Sequence, residues 1–366
     1  MTTMPATKPK AAATKSPDAP LVLRQYLDGR WVEGTGTREI VSTNPADVRK
    51  IVARGRGASK ADAEKALSAA QAAFPAWKAT PAPQRGRILA QAAQLLRAHK
   101  EELARLMTRE EGKIYPEALG EMEKGITLVE WFAGEGLRLG GVSRPSELAR
   151  NLLLTMREPL GVVSVITPWN FPFAIPAWKL APALVAGNSV VFKPASLVPA
   201  MAVRIVEIFA EAGLPPGVLN LVIGAGSELG DVLVEDPRVK AVSFTGSNEV
   251  GSELYAQGAR RMKKCQCEMG GKNPLVILSD ADLPLAMESA AFGAFASTGQ
   301  RCTATSRVII EESVADKFVQ LLVARASQLR TGNGLEPGID MGPAVDESQL
   351  KTDLHYIEIG KKEAKL

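Results

Sequence analysis

The chain has 366 residues, of which 46% are hydrophobic and 23% charged, so it can bury a large core and is expected to form two or more domains. Its 44 basic and 40 acidic residues leave a net charge of +4. They form no basic stripe, which argues against nucleic acid as a partner, and no apolar run approaches the ~20 residues of a membrane-spanning helix.

The three cysteines argue against an extracellular, disulfide-bonded protein. Their number is odd, and Cys265 and Cys267 are only two residues apart, so they cannot form a disulfide framework. We therefore expect a reducing, cytoplasmic location. A metal site at this pair would lack further ligands, because the chain has only two histidines, and we expect no metal. The pair is interpreted as one strand with a buried thiol face.

The N-terminal part is predicted to be a tail followed by helices. Residues 1–20 contain no apolar segment, which indicates a disordered tail rather than a secretory signal. An organelle transit peptide is the alternative, and the absence of arginine disfavours it. Residues 21–137 are interpreted as mainly helical, beginning with a capping-box pattern at Ser59. Residues 138–158 have two extended stretches around a Pro-Ser turn, which predicts a hairpin.

Strand-like and helical runs alternate in residues 159–271. Strands are predicted at 162–167, 189–192, 218–223, 241–245 and 263–268, with crossover helices between them. This alternation is typical of a doubly wound parallel α/β sheet. A second series of strands and helices, in residues 272–366, predicts a second α/β domain.

Short polar motifs follow the predicted strands of this sheet. Parallel strands end at one edge, where doubly wound sheets bind their ligands, so we expect these motifs to line one site. The motifs are Thr-Pro-Trp-Asn after the first strand, then Lys-Pro-Ala-Ser, Gly-Ala-Gly-Ser, Phe-Thr-Gly-Ser and Glu-Met-Gly-Gly.

Four motifs in combination are similar to those of a known family. Cys302 lies in Phe-Ala-Ser-Thr-Gly-Gln-Arg-Cys-Thr and Glu268 begins Glu-Met-Gly-Gly-Lys-Asn-Pro. Asn170 lies in Trp-Asn-Phe-Pro, and Lys193 begins Lys-Pro-Ala-Ser. Together they resemble the aldehyde dehydrogenases, and the resemblance extends over residues 22 to about 360. It implies oxidation of an aldehyde to a carboxylate through a cysteine thiohemiacetal and a thioester.

The resemblance assigns a role to each of the reactive groups. A thiolate at Cys302 can attack a carbonyl carbon, and the neighbouring Arg301 favours the thiolate. The alternative is that Cys302 is a small buried hydrophobic residue, and the polar residues on both sides of it in the sequence disfavour this. Glu268 is implied to activate water for thioester hydrolysis, and Asn170 to donate its amide to the oxyanion. The alternative for Glu268 is an ordinary surface glutamate, and the alternative for Asn170 is an asparagine that forms a turn before Pro172.

A nicotinamide dinucleotide is the cofactor that the resemblance implies. Lys193 is expected to reach its ribose, although a strand-end lysine that extends to solvent is an alternative. Ser196 stands where the family often has a glutamate that holds the adenosine ribose, so NADP is favoured over NAD. The Gly224-x-Gly226-x-x-x-Gly230 pattern alone is a weak dinucleotide fingerprint. The expected cofactor contacts are Ile166, Thr167, Pro168, Trp169, Lys193, Ser196, Gly226, Gly230, Phe244, Thr245, Gly246, Ser247, Val250, Met269 and Gly270.

The resemblance also divides the chain. Residues 21–137 and 159–271 become the helical part and the Rossmann-like core of a cofactor-binding domain. Residues 138–158 become an arm that pairs with another subunit, and the alternative is a surface hairpin with no partner. Residues 272–366 become a catalytic domain that lacks the family's Glu-x-Phe-Gly-Pro motif, so a truncated chain is expected. The full-length form is expected to be a homodimer or homotetramer.

The substrate is expected to be a small aldehyde. Overall similarity indicates a short dicarboxylic semialdehyde, such as 2-oxoglutaric or succinic semialdehyde, with Lys124 or Arg301 as the partner of its carboxylate. The truncation leaves two alternatives open. One is a catalytically silent nucleotide-binding or interaction protein, and the other is residual esterase activity.

Overall fold

A computed structural model describes residues 19–364, so most of the tail predicted at 1–20 lies outside the described residues. The strands are β1 Leu21–Val22, β2 Gln25–Leu27, β3 Arg30–Val32, β4 Glu39–Asn44, β5 Asp47–Arg56, β6 Ser143–Arg144, β7 Leu153–Leu154, β8 Val162–Ile166, β9 Ser189–Lys193, β10 Leu219–Leu221, β11 Val239–Gly246, β12 Lys264–Met269, β13 Asn273–Ile277 and β14 Thr305–Ile310. The helices are α1 Lys60–Ala79, α2 Ala82–Ala98, α3 Lys100–Glu111, α4 Tyr115–Glu135, α5 Ala174–Val185, α6 Pro199–Glu211, α7 Gly226–Glu235, α8 Asn248–Ala259, α9 Leu283–Phe295, α10 Glu312–Ala326 and α11 Glu347–Glu363.

The main sheet has the order β12-β11-β8-β9-β10-β2-β3, and its first five strands are parallel. Alternate residues of β8 enter two different cores: Val163 and Val165 pack with α5 and α6, whereas Val162 and Ile166 pack with α1 and α7. Helices therefore cover both faces, as the near-continuous apolar strands require. The predicted doubly wound α/β fold is confirmed.

The register of the parallel strands aligns their carboxyl ends. Ile166 of β8 is paired with Lys193 of β9 on one side and with Phe244 of β11 on the other. Thr245 of β11 is paired in turn with Glu268 of β12. The motifs that follow these strands consequently meet at one edge of the sheet.

The helical assignment of residues 21–137 is wrong for residues 21–56. These residues form β1 to β5, of which β2 and β3 extend the main sheet through two antiparallel pairings, β10 with β2 and β2 with β3. Strands β1, β2 and β3 have only two or three residues, which is too short to show an alternating pattern. Strand β2 also pairs with a strand almost 200 positions away, through Tyr26 and Leu221. The helical assignment holds beyond residue 59, where Ser59 and Asp62 form the expected capping box.

Residues 138–158 contain a small antiparallel hairpin of β6 and β7, with Ser143 paired to Leu154 and Arg144 to Leu153. Its side chains are exposed on both strands. The exposed apolar residues there include Leu148, Leu152 and Met156.

Residues 273–364 form a thinner layer, in which β13 and β14 make a two-stranded parallel sheet. Its buried core consists of four side chains, Ile277, Leu283, Ala290 and Phe318. Helix α11 buries none of its residues.

None of the helices described between residues 19 and 364 is long and apolar enough to cross a membrane. Over the same residues, no group of three or more His, Cys, Asp or Glu side chains is placed to hold a metal ion. Cys265 and Cys267 are free, half-buried, and packed against the core formed with α1 and α7.

Candidate active site

A cleft of about 880 Å³ lies at the carboxyl edge of the main sheet. The ends of β8, β9 and β11 form its floor, the first residues of α7 and α8 line one wall, and the loop that follows α9 lines another. Most residues predicted for the site lie on its surface, namely Ile166, Thr167, Pro168, Trp169, Asn170, Lys193, Gly226, Gly230, Phe244, Thr245, Gly246, Ser247, Val250, Met269, Gly270 and Cys302.

Three predicted residues, Ser196, Glu268 and Lys124, do not line the cleft. Ser196 turns its hydroxyl towards the backbone and donates to the Gly224 carbonyl over 3.0 Å. Glu268 is exposed at the end of β12, where its Oε1 accepts a hydrogen bond of 2.9 Å from Gln266 Nε2. The next two residues along the chain reach the cleft, so Glu268 lies at its margin.

The loop that carries Cys302 has an unusual backbone. Ser297, Thr298 and Gly299 have φ angles of 52°, 59° and 67°, in the left-handed region that non-glycine residues rarely occupy. Such a conformation persists only where surrounding contacts hold it, and it occurs often at functional sites. The Cys302 side chain is exposed. Asn273 Nδ2 donates to the Cys302 carbonyl at 2.7 Å and so fixes the backbone of this residue.

Asn170 joins the end of β8 to the Cys302 loop. Its Nδ2 donates to the carbonyl oxygen of Gln300 at 2.9 Å. An amide group has two N–H donors, so the second remains for another acceptor. The structure therefore brings together Asn170 and Cys302, which are separated by more than 130 positions in the sequence.

Two lysines, Lys193 at the cleft and Lys179 on α5, have poorly solvated side chains. Lys193 is 6% exposed and donates to the Pro194 carbonyl at 3.2 Å, and burial lowers its pKa to about 8. Lys179 donates to Ser243 Oγ and to Gln266 Oε1, both at 2.9 Å. Burial lowers the pKa of Lys179 to about 8, and the Glu268 carboxylate opposes that shift. Lys179 is thus linked to Glu268 through Gln266.

The family model for the aldehyde dehydrogenase family matches residues 31–366. The chain belongs to the aldehyde dehydrogenase family. It is 47% identical over 339 residues to a 2,5-dioxopentanoate dehydrogenase of Saccharolobus solfataricus, an alignment that covers 92% of this chain and 70% of the relative. It is 45% identical over 338 residues to an alpha-ketoglutaric semialdehyde dehydrogenase of Bacillus subtilis, covering 92% and 69%.

A solved structure gives the same result. The betaine aldehyde dehydrogenase of Staphylococcus aureus, in complex with NAD+, superposes with a TM-score of 0.90 at 37% identity, covering 93% of this chain and 68% of that one. The resemblance read from the motifs is confirmed, and the chain is an aldehyde dehydrogenase that uses a nicotinamide dinucleotide. It spans about 70% of the length of these relatives.

The cleft of this aldehyde dehydrogenase fits a dinucleotide. A Cβ added at Gly226, Gly230 or Gly270 would meet no protein atom within 4 Å, so these glycines border open space. The first turns of α7 and α8 face the same space, and helix N-termini bind phosphate groups through free N–H groups and the helix dipole. Thr245 Oγ1 is buried there without a protein partner.

Several residues of the site were not predicted. Gln349 and Asp353, joined by a hydrogen bond of 2.8 Å on α11, also line the cleft. No motif marks this surface helix. Lys113 donates to the Asn170 carbonyl over 2.8 Å, although it lies 57 positions earlier. Asn273 could have been found, because it belongs to the motif that Glu268 begins.

Proposed function

We propose that this aldehyde dehydrogenase oxidises a short dicarboxylic semialdehyde, such as 2-oxoglutaric or succinic semialdehyde, to the carboxylate. The names of the two sequence relatives support this substrate class. The observation that carries the proposal is the hydrogen bond from Asn170 Nδ2 to Gln300 O, two residues before Cys302. This contact supports the proposed roles of Asn170 as the oxyanion donor and of Cys302 as the nucleophile.

The first steps of the proposed mechanism belong to Cys302 and Asn170. The Cys302 sulfur attacks the aldehyde carbon, and the carbonyl π electrons move to oxygen. The resulting oxyanion accepts the free N–H of Asn170, a stabilisation that develops only as charge forms. The nicotinamide, when bound, supplies the hydride acceptor. Residues 166–170 form the floor on which it would be held.

The last step belongs to Glu268. A thioester on Cys302 is hydrolysed when water attacks its carbonyl carbon and Glu268 takes the proton of that water. The Cys302 sulfur leaves and the carboxylate is released. The position of Glu268 at the margin of the cleft, one residue before Met269, supports this role.

We further propose that NADP is used as well as NAD. Ser196 offers no carboxylate to the adenosine ribose, and its hydroxyl is directed to Gly224 O instead. A 2′-phosphate would therefore meet no negative charge at this position. Lys193, at the cleft floor, is proposed to contact the ribose.

The carboxylate of the substrate is proposed to contact Lys124. The alternative, Arg301, lines the cleft, whereas Lys124 lies outside its lining, but Arg301 already donates its Nη2 to the carbonyls of Phe292 and Gly293 at 2.9 and 3.3 Å. Lys124 is exposed on α4, with its ammonium 5.5 Å from the centroid of the Trp178 ring. Its charge is thus available to a substrate anion.

The assembly and location are also proposals. Residues 138–158 form an arm that pairs with another subunit of a homodimer or homotetramer, and the exposed leucines of the hairpin support this role. Residues 21–137 and 159–271 act as the cofactor-binding domain and 272–366 as the catalytic domain, in the cytoplasm. Leu153→Arg should lower the sedimentation coefficient if the arm pairs subunits, and an unchanged value would contradict the pairing.

The direct test of function is formation of reduced cofactor by the purified chain. We expect turnover with both semialdehydes, with either NAD or NADP, and none above background in Cys302→Ala. Lys124→Ala should lower kcat/KM about tenfold or more for succinic semialdehyde, and less than about twofold for butanal, which lacks the carboxylate. Faster turnover of butanal than of both semialdehydes would contradict the substrate class.

A further inference from the structure

Helix α4 contacts the two catalytic loops through a pair of glutamates one turn apart. Glu117 and Glu121 are four residues apart, so their side chains share one face of the helix. Glu117 contacts the loop that leads to Cys302, and Glu121 contacts the loop that follows Asn170.

Glu121 and Lys113 fix the loop of Asn170. Glu121 Oε1 accepts from the backbone N–H groups of Phe173 and Ala174, at 2.9 and 3.0 Å, and so satisfies donors at the start of α5. Its Oε2 accepts from Lys113 Nζ at 2.6 Å. The same ammonium donates to the Asn170 carbonyl at 2.8 Å. Both side chains are 1% exposed, so these charge-assisted hydrogen bonds are shielded from water.

The ammonium of Lys113 has further neighbours that restrict it. The ring centroid of Phe171, the residue after Asn170, lies 4.1 Å away. Glu111 Oε2 lies 3.9 Å from the same ammonium. Lys113 is therefore held between α3, α4 and the loop, and the Asn170 backbone cannot shift without breaking a buried hydrogen bond.

Glu117 fixes the loop of Cys302. Its Oε1 accepts from Ser297 N at 2.7 Å. Ser297 begins the run of left-handed residues, a conformation that costs free energy and needs contacts to maintain it. The loop then passes through Gln300, whose carbonyl accepts the Asn170 amide. The two loops that α4 contacts are thus joined to each other at the reacting groups.

We propose that Glu117 and the Lys113–Glu121 pair are positioning residues, which together set the distance between the Asn170 amide and the Cys302 sulfur. The proposal rests on the catalytic roles proposed above for these two groups. Small displacements of reacting groups cost about 100-fold in rate, so loss of either contact should act on kcat. None of the three residues lines the cleft, and cofactor binding should be unaffected.

Glu117→Ala and Glu117→Gln test the first contact. Alanine removes the acceptor of the Ser297 N–H, whereas the glutamine amide oxygen can replace it. We expect Glu117→Ala to lower kcat about tenfold or more, with KM for the cofactor within about twofold. Hydrogen exchange in residues 296–302 should accelerate in the alanine variant only. Equal impairment by Gln and Ala, or an alanine variant with the wild-type kcat, would overturn this half of the proposal.

Lys113→Met combined with Glu121→Gln tests the second contact without leaving an unpaired buried charge at this pair. The glutamine oxygen can still accept from Phe173 N and Ala174 N, but nothing donates to the Asn170 carbonyl. Ester hydrolysis with p-nitrophenyl acetate, which forms an oxyanion, should slow about tenfold or more. Alkylation of Cys302 by iodoacetamide, which forms none, should stay within about twofold of the wild-type rate. Equal loss of both reactions would contradict the assignment.

The matched control is Glu130→Ala, which removes an exposed glutamate of the same helix that pairs with Arg97 at 2.8 Å. It should retain the wild-type rates, and losses equal to those of Glu117→Ala would show a general effect of α4.

The assays separate this proposal from the proposed function. The wild-type chain could hydrolyse the ester but oxidise no aldehyde, while the variants slow ester hydrolysis as expected. That result would support the positioning roles and contradict the proposed function. A chain with neither reaction would contradict both.

Discussion

The main sheet and the region that carries Cys302 differ in how deeply they are buried. Every residue of β8 and β9 is buried between two layers of helices. In β13 and β14, by contrast, Val276 and Ile309 are 59% and 54% exposed. The carboxyl edge of the main sheet is thus supported by large cores, whereas the loop that carries Cys302 has only a small core behind it.

The difference shows which contacts hold the loop of Cys302 in position. The contacts of Ser297 with Glu117 and of Gln300 with Asn170 both cross from the thinly packed region to the well-packed one. Regions with few buried apolar contacts open at lower free energy than cores. We therefore expect the Cys302 loop to depend for its order on the half of the molecule that contains the main sheet.

The largest expected effect comes from variants that distinguish the small core of residues 273–364 from the large core beside the main sheet. Phe318→Ala empties the centre of the small core and Phe209→Ala that of the large one, and each should cost about 3–5 kcal/mol of unfolding free energy in its own region. Hydrogen exchange should accelerate within 273–364 for Phe318→Ala and leave 159–271 unchanged. Acceleration of both ranges by this variant would show that the two regions unfold as one unit.

A smaller effect is expected on the pH dependence of the well-packed half. Glu110 is buried and accepts from Ala200 N and Met201 N, at 2.7 and 2.9 Å, and burial raises its pKa to about 7. A raised pKa in the folded state contributes stability that is fully present below the unfolded value, near 4.5, and is lost as pH rises through about 7.

The free energy of unfolding should accordingly fall between about pH 4.5 and 7, by an amount on the order of 3 kcal/mol from this group. Glu110→Gln keeps an acceptor for both N–H groups. It should remove the contribution of this group to the fall of the unfolding free energy with pH, which urea titrations at several pH values measure. Glu111, whose pKa burial also raises to about 7, leaves a residual slope. An unchanged slope in the variant would contradict the assignment to Glu110.

The smallest expected effect concerns the cofactor. Ser196→Glu restores a carboxylate near the adenosine ribose, which should lower kcat/KM for NADP about tenfold, or about 1.4 kcal/mol, and change that for NAD less than about threefold. Parallel kinetics with the two cofactors measure the ratio. Equal changes for both would show that residue 196 does not contact this end of the cofactor.

The sequence predicts the main sheet well because its signals are local. Long apolar strands alternate with helices, and the motif after each strand must lie at the carboxyl edge, which is where Asn170, Lys193 and Gly246 are found. The capping box at Ser59 likewise marks the start of α1 by itself.

The features that were not predicted depend on distant contacts. Strand β2 is defined by its partner β10 rather than by its own three residues. In the sequence, Lys113 is a charged residue close to two glutamates and has no distinguishing pattern. Only folding brings it to the Asn170 carbonyl. The orientation of Ser196 depends likewise on Gly224, which lies 28 positions away. Side-chain direction at such positions is a property of packing, so no local pattern shows it.

Asn170→Ala tests most directly the claim that the two regions supply one catalytic site. The variant removes the amide that joins β8 to the Cys302 loop, and kcat for aldehyde oxidation and for ester hydrolysis should each fall about 100-fold or more. Alkylation of Cys302 by iodoacetamide should remain within about twofold of the wild-type rate, because that reaction forms no oxyanion. A kcat within about threefold of the wild type in both reactions would contradict the account.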